Sequence, residues 1–343
     1  SAELCLVTVK DSPTKILEKY SPIRCDNKNE AGPIYKKFNP DVLLVATSSL
    51  VLGPHVNNEF TKLAHADSKK IICFQDYWAN HRWPMNYKMM QLCDTILTID
   101  ELCKNFILQD GYRGKVVITG NPAFDKFRDL NVASERARLR KKLNIPEGTF
   151  VILHSGTGTP QTFQEDEITF KFLANAVREL KKEQPSLVFI SRPHPRDERP
   201  NRYQELAPDL GLLDTSSIAM TENLIPVADV IVAMYATNLI HACYLRIPGI
   251  SILLPNAGQK RLEKISLADF PPNGVGATIG IYKEKTEDLN KELRKIMAKD
   301  ESLSTMKSAQ GRFFVFDKKS ATERVVAAIK SELSLTSIPV RLP

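Results

Sequence analysis

The feature that most constrains this chain is the alternation, along almost all of its length, between short runs rich in β-branched residues and longer amphipathic stretches. Parallel strands need a long crossover between them, and a helix usually provides it. The alternation therefore predicts βαβ units and parallel sheets, that is, an α/β fold. The runs predicted as strands are 3–9, 21–25, 41–48, 70–75, 94–99, 115–120, 149–156, 186–192, 229–234, 249–255 and 276–282.

The length of the chain predicts two domains, because 343 residues exceed what one hydrophobic core usually supports. The strand runs form two groups, separated by a basic stretch that ends at Pro-Glu-Gly. We predict an N-terminal domain over 1–130, a linker over 131–148, a C-terminal domain over 149–319, and a C-terminal helix and tail over 320–343 that cross back to the first domain.

Composition narrows the class of protein. No apolar run reaches the roughly 18 residues that span a bilayer, and the first residues lack the pattern of a signal peptide. The 6 cysteines lie in apolar stretches without C-x-x-C spacing, which predicts buried thiols rather than a zinc site. We expect a cytoplasmic protein.

The charge of the chain predicts an anionic partner, because the formal net charge is +7 and the pI is near 9.0. Nucleotide sugars, anionic lipid surfaces and nucleic acid all fit. The basic run 135–142 has no aromatic residues among its charges, so we interpret it as a solvated helix face and expect no nucleic-acid partner. Peripheral contact with the inner face of an anionic membrane is the second expectation from this charge.

Six stretches, each made of a predicted strand or its end and the residues after it, are informative through their order along the chain. They are NPDVLLVATSS (39–49), QLCDTILTIDELCKNFILQDGY (91–112), KVVITGNPAFD (115–125), VILHSGTGTP (151–160), ISRPHPRD (190–197) and ADVIVAMYATNLIHACYLRIPGISILL (228–254). In order and spacing they resemble the GT-B nucleotide-sugar enzymes, a group with many glycosyltransferases and the UDP-N-acetylglucosamine 2-epimerases. The resemblance implies an α/β fold of GT-B type, with two Rossmann-like domains whose parallel sheets face a central cleft. It also implies a donor site in the C-terminal domain and an acceptor site in the N-terminal domain.

The chain departs from this group in two respects. GT-B enzymes usually open with a strand, a glycine-containing loop and a helix, whereas the first strand here leads into KDSPTKILEKY, so that opening unit is either absent or divergent. The 2-epimerases carry several acidic residues for proton transfer in the N-terminal domain, and here Asp76 alone lies near an expected acid. Epimerisation needs several positioned acid or base groups, so the sequence argues against it.

The strongest donor-site prediction concerns the polar cluster that follows the strand 229–234. A helix that begins there presents N–H groups and a partial positive charge, which suit a diphosphate at the carboxyl edge of a parallel sheet. An ordinary N-cap is the alternative. Two further loops are expected to help: the glycine turn 154–158, through its main-chain N–H groups, and the loop 190–197, through a cationic pair. The predicted donor-binding residues are Ser155, Gly156, Thr157, Gly158, Arg192, His194, Glu222, Tyr235, Ala236, Thr237 and Asn238.

The predicted catalytic residues are Asp76, His81 and His154. Asp76 is the first choice and His81 the second for the base that deprotonates an acceptor hydroxyl, and His154 is expected to donate to the diphosphate or to a sugar hydroxyl. Aromatic faces stack on sugar rings, although partly buried packing is the alternative for the tryptophans. The predicted acceptor-binding residues are Thr47, Ser48, Ser49, Tyr77 and Trp78.

From these features we predict a glycosyltransferase that moves a sugar from a nucleotide-diphosphate donor to a hydroxyl acceptor in surface polysaccharide or glycolipid synthesis. A UDP-sugar is the expected donor, and a carbohydrate or lipid-linked molecule the expected acceptor. No cofactor or metal is expected, because helix dipoles and cations can neutralise the leaving diphosphate and no D-x-D pair is present. Three alternatives remain: a 2-epimerase or sugar-nucleotide hydrolase, a CDP-glycerol-type glycerophosphotransferase, and a non-catalytic nucleotide-binding module.

Overall fold

The computed structural model describes residues 3–9, 17–47, 53–157, 162–195 and 197–333. The strands are β1 (Val7–Thr8), β2 (Ile23–Arg24), β3 (Val42–Ala46), β4 (Lys70–Gln75), β5 (Thr95–Thr98), β6 (Lys115–Ile118), β7 (Val151–Ser155), β8 (Val188–Arg192), β9 (Val230–Ala233), β10 (Gly249–Ile252) and β11 (Ile279–Ile281). Each lies inside a run predicted as a strand, and the alternation of strands with helices confirms the α/β class.

The helices connect these strands in the manner of βαβ units. They are α1 (Lys28–Phe38), α2 (Gly53–Ala66), α3 (Pro84–Met90), α4 (Glu101–Gln109), α5 (Val132–Lys142), α6 (Phe163–Glu183), α7 (Arg202–Leu206), α8 (Thr237–Tyr244), α9 (Gln259–Lys264), α10 (Pro271–Gly274), α11 (Thr286–Met297), α12 (Ser302–Phe313) and α13 (Ala321–Glu332). The predicted N-cap Asp100 is confirmed, since its carboxylate accepts from Cys103 N at 2.7 Å.

The chain divides into two compact units, of which the first runs up to Asp125 and resumes at Asp317. Its main sheet has the order β3-β4-β5-β6, and every neighbouring pair is parallel. The side chains of β5 are all buried, as expected for a parallel strand that is covered on both faces. β1 and β2 form a separate two-stranded sheet. That separation was not predicted, because two short runs carry too few residues to fix their partner.

The second unit, Lys126–Phe316, holds a parallel sheet of order β11-β10-β9-β7-β8. Its core joins the sheet to α6 and α11 through fully buried side chains such as Phe170, Phe189 and Leu293. β7 and β9 are buried along their whole length and occupy the middle of this sheet. The loops that leave their carboxyl ends therefore begin from fully buried strands.

The stretch 131–148, which the sequence suggests as a linker, belongs to the second unit. Leu139 on α5 is completely buried, and Arg140 donates to Thr149 O at 2.9 Å and to Asp229 Oδ2 at 2.8 Å. The interpretation of the basic run as a solvated face is therefore wrong for Arg140. The pattern of charges suggested solvent, but Asp229 lies far along the chain and could not be foreseen as its partner.

Among the helices of the described residues, none is both long enough and apolar enough to cross a bilayer. Five of the cysteines are buried and Cys5 is half-buried, and all of them are free thiols.

Candidate functional site

The candidate site lies where the second sheet reverses its strand order. The chain passes from β7 to β8 on one side, and β9 lies on the other side of β7. Ligands of open α/β sheets bind in the crevice outside the carboxyl ends of strands at such a switch point. Ser155 is the last residue of β7, and Asn238 lies in the first turn of α8, which follows β9. The Asn238 amide donates a hydrogen bond to Ser155 Oγ at 2.7 Å. The two sides of the crevice are thus joined directly.

The N-terminus of α8 has the properties of an anion site. Its N-cap Ala236 is extended, with φ −71° and ψ 149°, and no side chain caps the helix. Thr237 is exposed at the first helical position, and Ala236 and Asn238 are half-buried. The helix dipole places partial positive charge at this end. The predicted cluster 236–238 therefore has the exposure and the polarity that a phosphate group requires.

The glycine turn after β7 differs from what the sequence predicts. Gly156 N donates to Arg192 O at 2.8 Å, and Thr157 N donates to Asp166 Oδ1 at 2.7 Å. These main-chain N–H groups are bonded within the protein and are not presented to a ligand, so the expected role of the turn as an N–H cradle is wrong for them. Gly158 lies outside the described residues.

Arg192 ends β8 and His194 follows it, as predicted, but the Arg192 side chain is bonded within the protein. The Arg192 guanidinium donates to Thr215 O at 2.8 Å and to Ala219 O at 3.1 Å, so both of its terminal nitrogens hold the segment 215–219. Burial lowers the pKa of this guanidinium, although Asp214 acts in the opposite direction. His194 is half-buried at the same edge of the sheet.

His154 is a core residue. Its side chain is completely buried against the rings of Phe170 and Tyr203, and Nδ1 lies 2.8 Å from Ser191 Oγ. Burial lowers the pKa of His154 to about 4, so the ring is neutral near pH 7. The prediction that His154 contacts substrate is therefore wrong in this structure, because apolar and aromatic side chains enclose the imidazole.

Two further predicted donor residues have protein partners. Glu222 forms an ion pair with Lys126, and its side chain is largely buried. Tyr235 is half-buried at the carboxyl end of β9, and the Arg261 guanidinium lies 5.7 Å from the centre of its ring. The proposed contact of Glu222 with ribose stays a prediction, and the ion pair fixes the carboxylate in position.

In the first unit, Asp76 has the surroundings of a general base. It follows β4, it keeps an exposed surface, and it accepts from Asn80 Nδ2 at 3.0 Å and Thr47 Oγ1 at 3.3 Å. Desolvation raises the pKa of Asp76 above its ordinary value, against the effect of these hydrogen bonds. A carboxylate with a raised pKa is a better proton acceptor. Thr47 is itself buried and positions Asp76, and Ser48 and Ser49 lie outside the described residues.

His81 is structural. Gln75 Nε2 lies 3.0 Å from His81 Nδ1, and His81 Nε2 lies 2.7 Å from Asp110 Oδ2. Burial lowers the pKa of His81, although Asp110 opposes the shift. Both ring nitrogens are engaged, so the choice of His81 as a base is not supported by its geometry.

The aromatic pair of the acceptor prediction is packed into the first unit. Trp78 is 2% exposed, and its indole nitrogen donates to Asp100 Oδ2 at 2.8 Å. Tyr77 is half-buried, with its ring centre 5.3 Å from that of Trp78 in an edge arrangement. The face of Trp78 is therefore not offered to a sugar, and the packing alternative describes it.

Sequence reasoning missed a buried ionic group beneath the glycine turn, formed by Asp166, Arg202 and Asp197. Their side chains are 2%, 2% and 1% exposed. One signal could have found it. Asp166 lies on the same helical stripe as the buried Phe170, Leu173 and Val177, and a carboxylate on an apolar stripe needs a partner.

The opposite edge of the second sheet has a cavity of about 940 Å³. Two of the arginines that line this cavity have partners within the protein. Arg140 pairs with Asp229, and Arg246 donates to Gln310 O and Phe314 O. Within the described ranges, no group of three His, Cys, Asp or Glu side chains could hold a metal ion.

Comparison with known proteins identifies a family for most of the chain. The family model described as CDP-Glycerol:Poly(glycerophosphate) glycerophosphotransferase matches residues 103–331, which is two thirds of the sequence. No curated protein matches the chain in sequence.

Solved structures agree on the fold. MnaA of S. aureus with UDP is 16% identical, covers 98% of this chain and 91% of its own, and has a TM-score of 0.66. The UDP-GlcNAc 2-epimerase of Neisseria meningitidis bound to UDP-GlcNAc is 13% identical, with 94% and 88% covered and a TM-score of 0.62. The wall teichoic acid polymerase TagF, soaked with CDPG, is 15% identical, with 97% and 82% covered and a TM-score of 0.59. The predicted resemblance to the GT-B nucleotide-sugar enzymes is confirmed.

Proposed function

The chain belongs to the CDP-glycerol:poly(glycerophosphate) glycerophosphotransferase family, and from this membership we propose that it transfers a phosphorylated polyol from a CDP-linked donor to a hydroxyl acceptor. The observation that carries the proposal is the Ser155–Asn238 hydrogen bond of 2.7 Å at the switch point of the second sheet. It joins the end of β7 to the N-terminus of α8, where a phosphate is stabilised by main-chain N–H groups and by the helix dipole.

The proposed donor contacts lie at this edge of the sheet, where Thr237 is exposed and Ala236, Asn238 and His194 are half-buried. We assign the diphosphate to residues 236–238, with Ser155 beside them and His194 as a donor of a hydrogen bond to phosphate. Arg192 and Glu222 then act indirectly, by fixing the segments around them. Asp76 is the proposed base, because Asn80 and Thr47 hold its carboxylate and desolvation raises its pKa.

The proposed reaction breaks the phosphoanhydride bond. The acceptor oxygen attacks the phosphorus that carries the polyol, its proton passes to the base, and the bond to the other phosphate breaks so that CMP leaves with the electron pair. Charge builds up on the departing phosphate, and fixed dipoles aimed at it stabilise the transition state. In glycosyl transfer the acceptor instead attacks the anomeric carbon and a nucleoside diphosphate leaves.

A UDP-sugar is the second candidate donor, because MnaA is seen with UDP and the Neisseria enzyme with UDP-GlcNAc. The identity of the released nucleotide separates the two reactions. The chain is incubated with CDP-glycerol, CDP-ribitol or UDP-GlcNAc, each with and without a poly(glycerophosphate) acceptor, and nucleotides are measured by chromatography. Acceptor-dependent release of CMP supports the proposal. Acceptor-dependent release of UDP from UDP-GlcNAc identifies glycosyl transfer, and turnover without acceptor identifies epimerisation or hydrolysis.

Binding of CDP without turnover of any donor would identify a nucleotide-binding module and would overturn the proposed reaction. Metal independence is part of the proposal, so CMP release should persist in EDTA. Contact with an anionic membrane, which the net charge of +7 favours, predicts that vesicles rich in phosphatidylglycerol retain the chain at low salt and release it at high salt.

A further inference from the structure

The buried ionic group of the second unit links the two loops that border the proposed donor site. Asp166 Oδ1 accepts from Thr157 N at 2.7 Å, in the turn after β7. The other oxygen of Asp166 lies 3.0 Å from Arg202 Nη2, and Arg202 Nη1 lies 2.7 Å from Asp197 Oδ2. Asp197 N in turn donates to His194 O at 2.8 Å. A continuous chain of contacts therefore runs from the turn after β7 to His194 after β8.

The packing around this group leaves little room for adjustment. Tyr203 Oη donates to Asp166 Oδ2 at 2.5 Å. A Cβ atom added to Gly156 would lie 2.2 Å from Tyr203 Oη and 3.2 Å from His194 N. Glycine is required there because the turn, the tyrosine and the next loop meet at van der Waals distance. Small shifts of Asp166 or Tyr203 would consequently move both loops.

Stability does not explain why the group is ionic. Two carboxylates and one guanidinium are each 1% or 2% exposed, and taking charges out of water costs several kcal/mol per ion before they attract one another. Apolar side chains of similar volume often replace such groups without loss of stability. Directional bonds, however, fix a main-chain N–H group and a neighbouring loop in a way that apolar packing does not. The ionic character of the group is therefore better explained by a role in positioning the two loops.

We propose that Asp166, Arg202 and Asp197 are positioning residues that hold the turn 155–157 and His194 in the geometry that receives the donor phosphate. They are buried, so they do not touch the donor themselves. This inference rests on the proposed function, since it needs a donor site at this edge. It deepens that function by adding buried residues that are not among the predicted donor contacts, although Asp197 ends the loop 190–197.

The test compares two matched variants of the second unit. Asp166→Asn keeps the side-chain volume but replaces the charged acceptor of Thr157 N. Asp229→Asn does the same at the opposite edge of the sheet, where Asp229 accepts from Val151 N at 2.8 Å and pairs with Arg140. CDP is the probe, its dissociation constant is measured by calorimetry on the full chain, and stability is measured by urea unfolding. Steady-state kinetics with CDP-glycerol follow.

Asp166→Asn should raise the dissociation constant of CDP about tenfold or more, the size expected from a charged hydrogen bond, while Asp229→Asn leaves it unchanged at similar stability. KM for the donor should rise more than kcat falls. The proposal is overturned if folded Asp166→Asn binds CDP like wild type, or if both variants lose affinity in proportion to stability. Should Asp166→Asn not fold, Tyr203→Phe, which keeps both ion pairs, is judged by the same criterion. Failure of wild type to bind CDP would instead count against the proposed function.

Discussion

Asp76 is the residue on which the proposed chemistry depends most directly. Asn80 and Thr47 hold its carboxylate, and desolvation raises its pKa. Asp76→Asn preserves the size of the side chain and removes its basicity. We therefore expect kcat for CMP release to fall by about 10²- to 10⁴-fold, the usual contribution of general base catalysis, with little change in CDP affinity.

Asp94→Asn is the control for that substitution. Asp94 lies at the other edge of the same sheet, where it accepts from Ile71 N at 2.8 Å, so its loss perturbs the same unit without touching the proposed base. A kcat of Asp76→Asn within about threefold of wild type would remove Asp76 from the mechanism.

His154 predicts the pH dependence of stability. Its folded pKa is lowered to about 4 by burial, whereas the unfolded value is about 6.5. Between these values the unfolded chain binds the extra proton, so the contribution of His154 to stability should decrease by about 3 kcal/mol as the pH falls from about 6.5 to 4. Urea unfolding at pH 7, 6, 5 and 4 measures this slope. His154→Phe should reduce the slope of the unfolding free energy against pH by an amount equivalent to the uptake of up to one proton. His65→Gln, at an exposed position, should leave the slope unchanged.

Single residues also show where sequence reasoning ends. The order of motifs correctly located polar residues at the carboxyl end of β4 in the first sheet and at the carboxyl ends of β7, β8 and β9, which share one edge of the second sheet. It could not reveal that the Arg192 guanidinium binds Thr215, 23 residues away, or that His81 binds Asp110, 29 residues away. Such partners are set by tertiary packing, which leaves no local pattern in the sequence.

At the scale of elements, the sequence allowed the strands to be predicted more precisely than the boundary between the domains. Apolar runs bounded by turn residues identified β3 to β11 because buried parallel strands admit few other residue types. The domain boundary was harder to place. The 131–148 stretch is basic and polar enough to suggest a linker, yet Leu139, Leu143 and Ile145 are buried within the second unit. Three apolar residues among many charged ones give a hydrophobic periodicity that is too weak to predict that this segment packs into a core.

Asp125 controls the docking of α13 on the first unit. Its carboxylate accepts from Ala321 N at 2.8 Å, Thr322 N at 2.9 Å and Thr322 Oγ1 at 2.7 Å, at the positive end of the helix. Burial alone would raise the pKa of Asp125, but these hydrogen bonds and the charge of Arg324 lower it overall. The stabilisation is therefore present above the unfolded pKa of about 3.9 and is lost as the pH falls through the folded value.

We expect Asp125→Ala to reduce the free energy of unfolding of the first unit by about 1 kcal/mol and to expose the 317–333 segment to limited proteolysis. Asp300→Ala is the matched control, because Asp300 accepts from Ser302 N at 2.9 Å at the start of α12 in the other unit. Equal proteolysis of 317–333 in both variants would contradict this role of Asp125.

At the scale of the whole molecule, the sequence was sufficient to predict the class of enzyme. The ordered motifs predicted a GT-B transferase with a nucleotide-activated donor. The family match over 103–331 confirms the transferase class and the structural likenesses confirm the fold, while the donor is part of the proposal. The choice between sugar and phosphorylated polyol could not be made from motifs, since both reactions start by binding a nucleoside diphosphate. A helix N-terminus can receive the phosphates of either donor.

The division into two units gives a last prediction about where the donor is held. Residues 236–238, Ser155 and His194 all belong to the second unit. A ligand that binds only the folded form stabilises it by about 2.7 kcal/mol at 100 times its dissociation constant, which slows exchange through unfolding about 100-fold. CDP should therefore slow amide hydrogen exchange in β7, β9 and β10 by this factor and leave β4 and β5 of the first unit unchanged. Hydrogen exchange followed by mass spectrometry measures both sets in one experiment. Protection that appears first in β4 and β5, or equally in both units, would place the nucleotide contacts outside the crevice at β7 and β9.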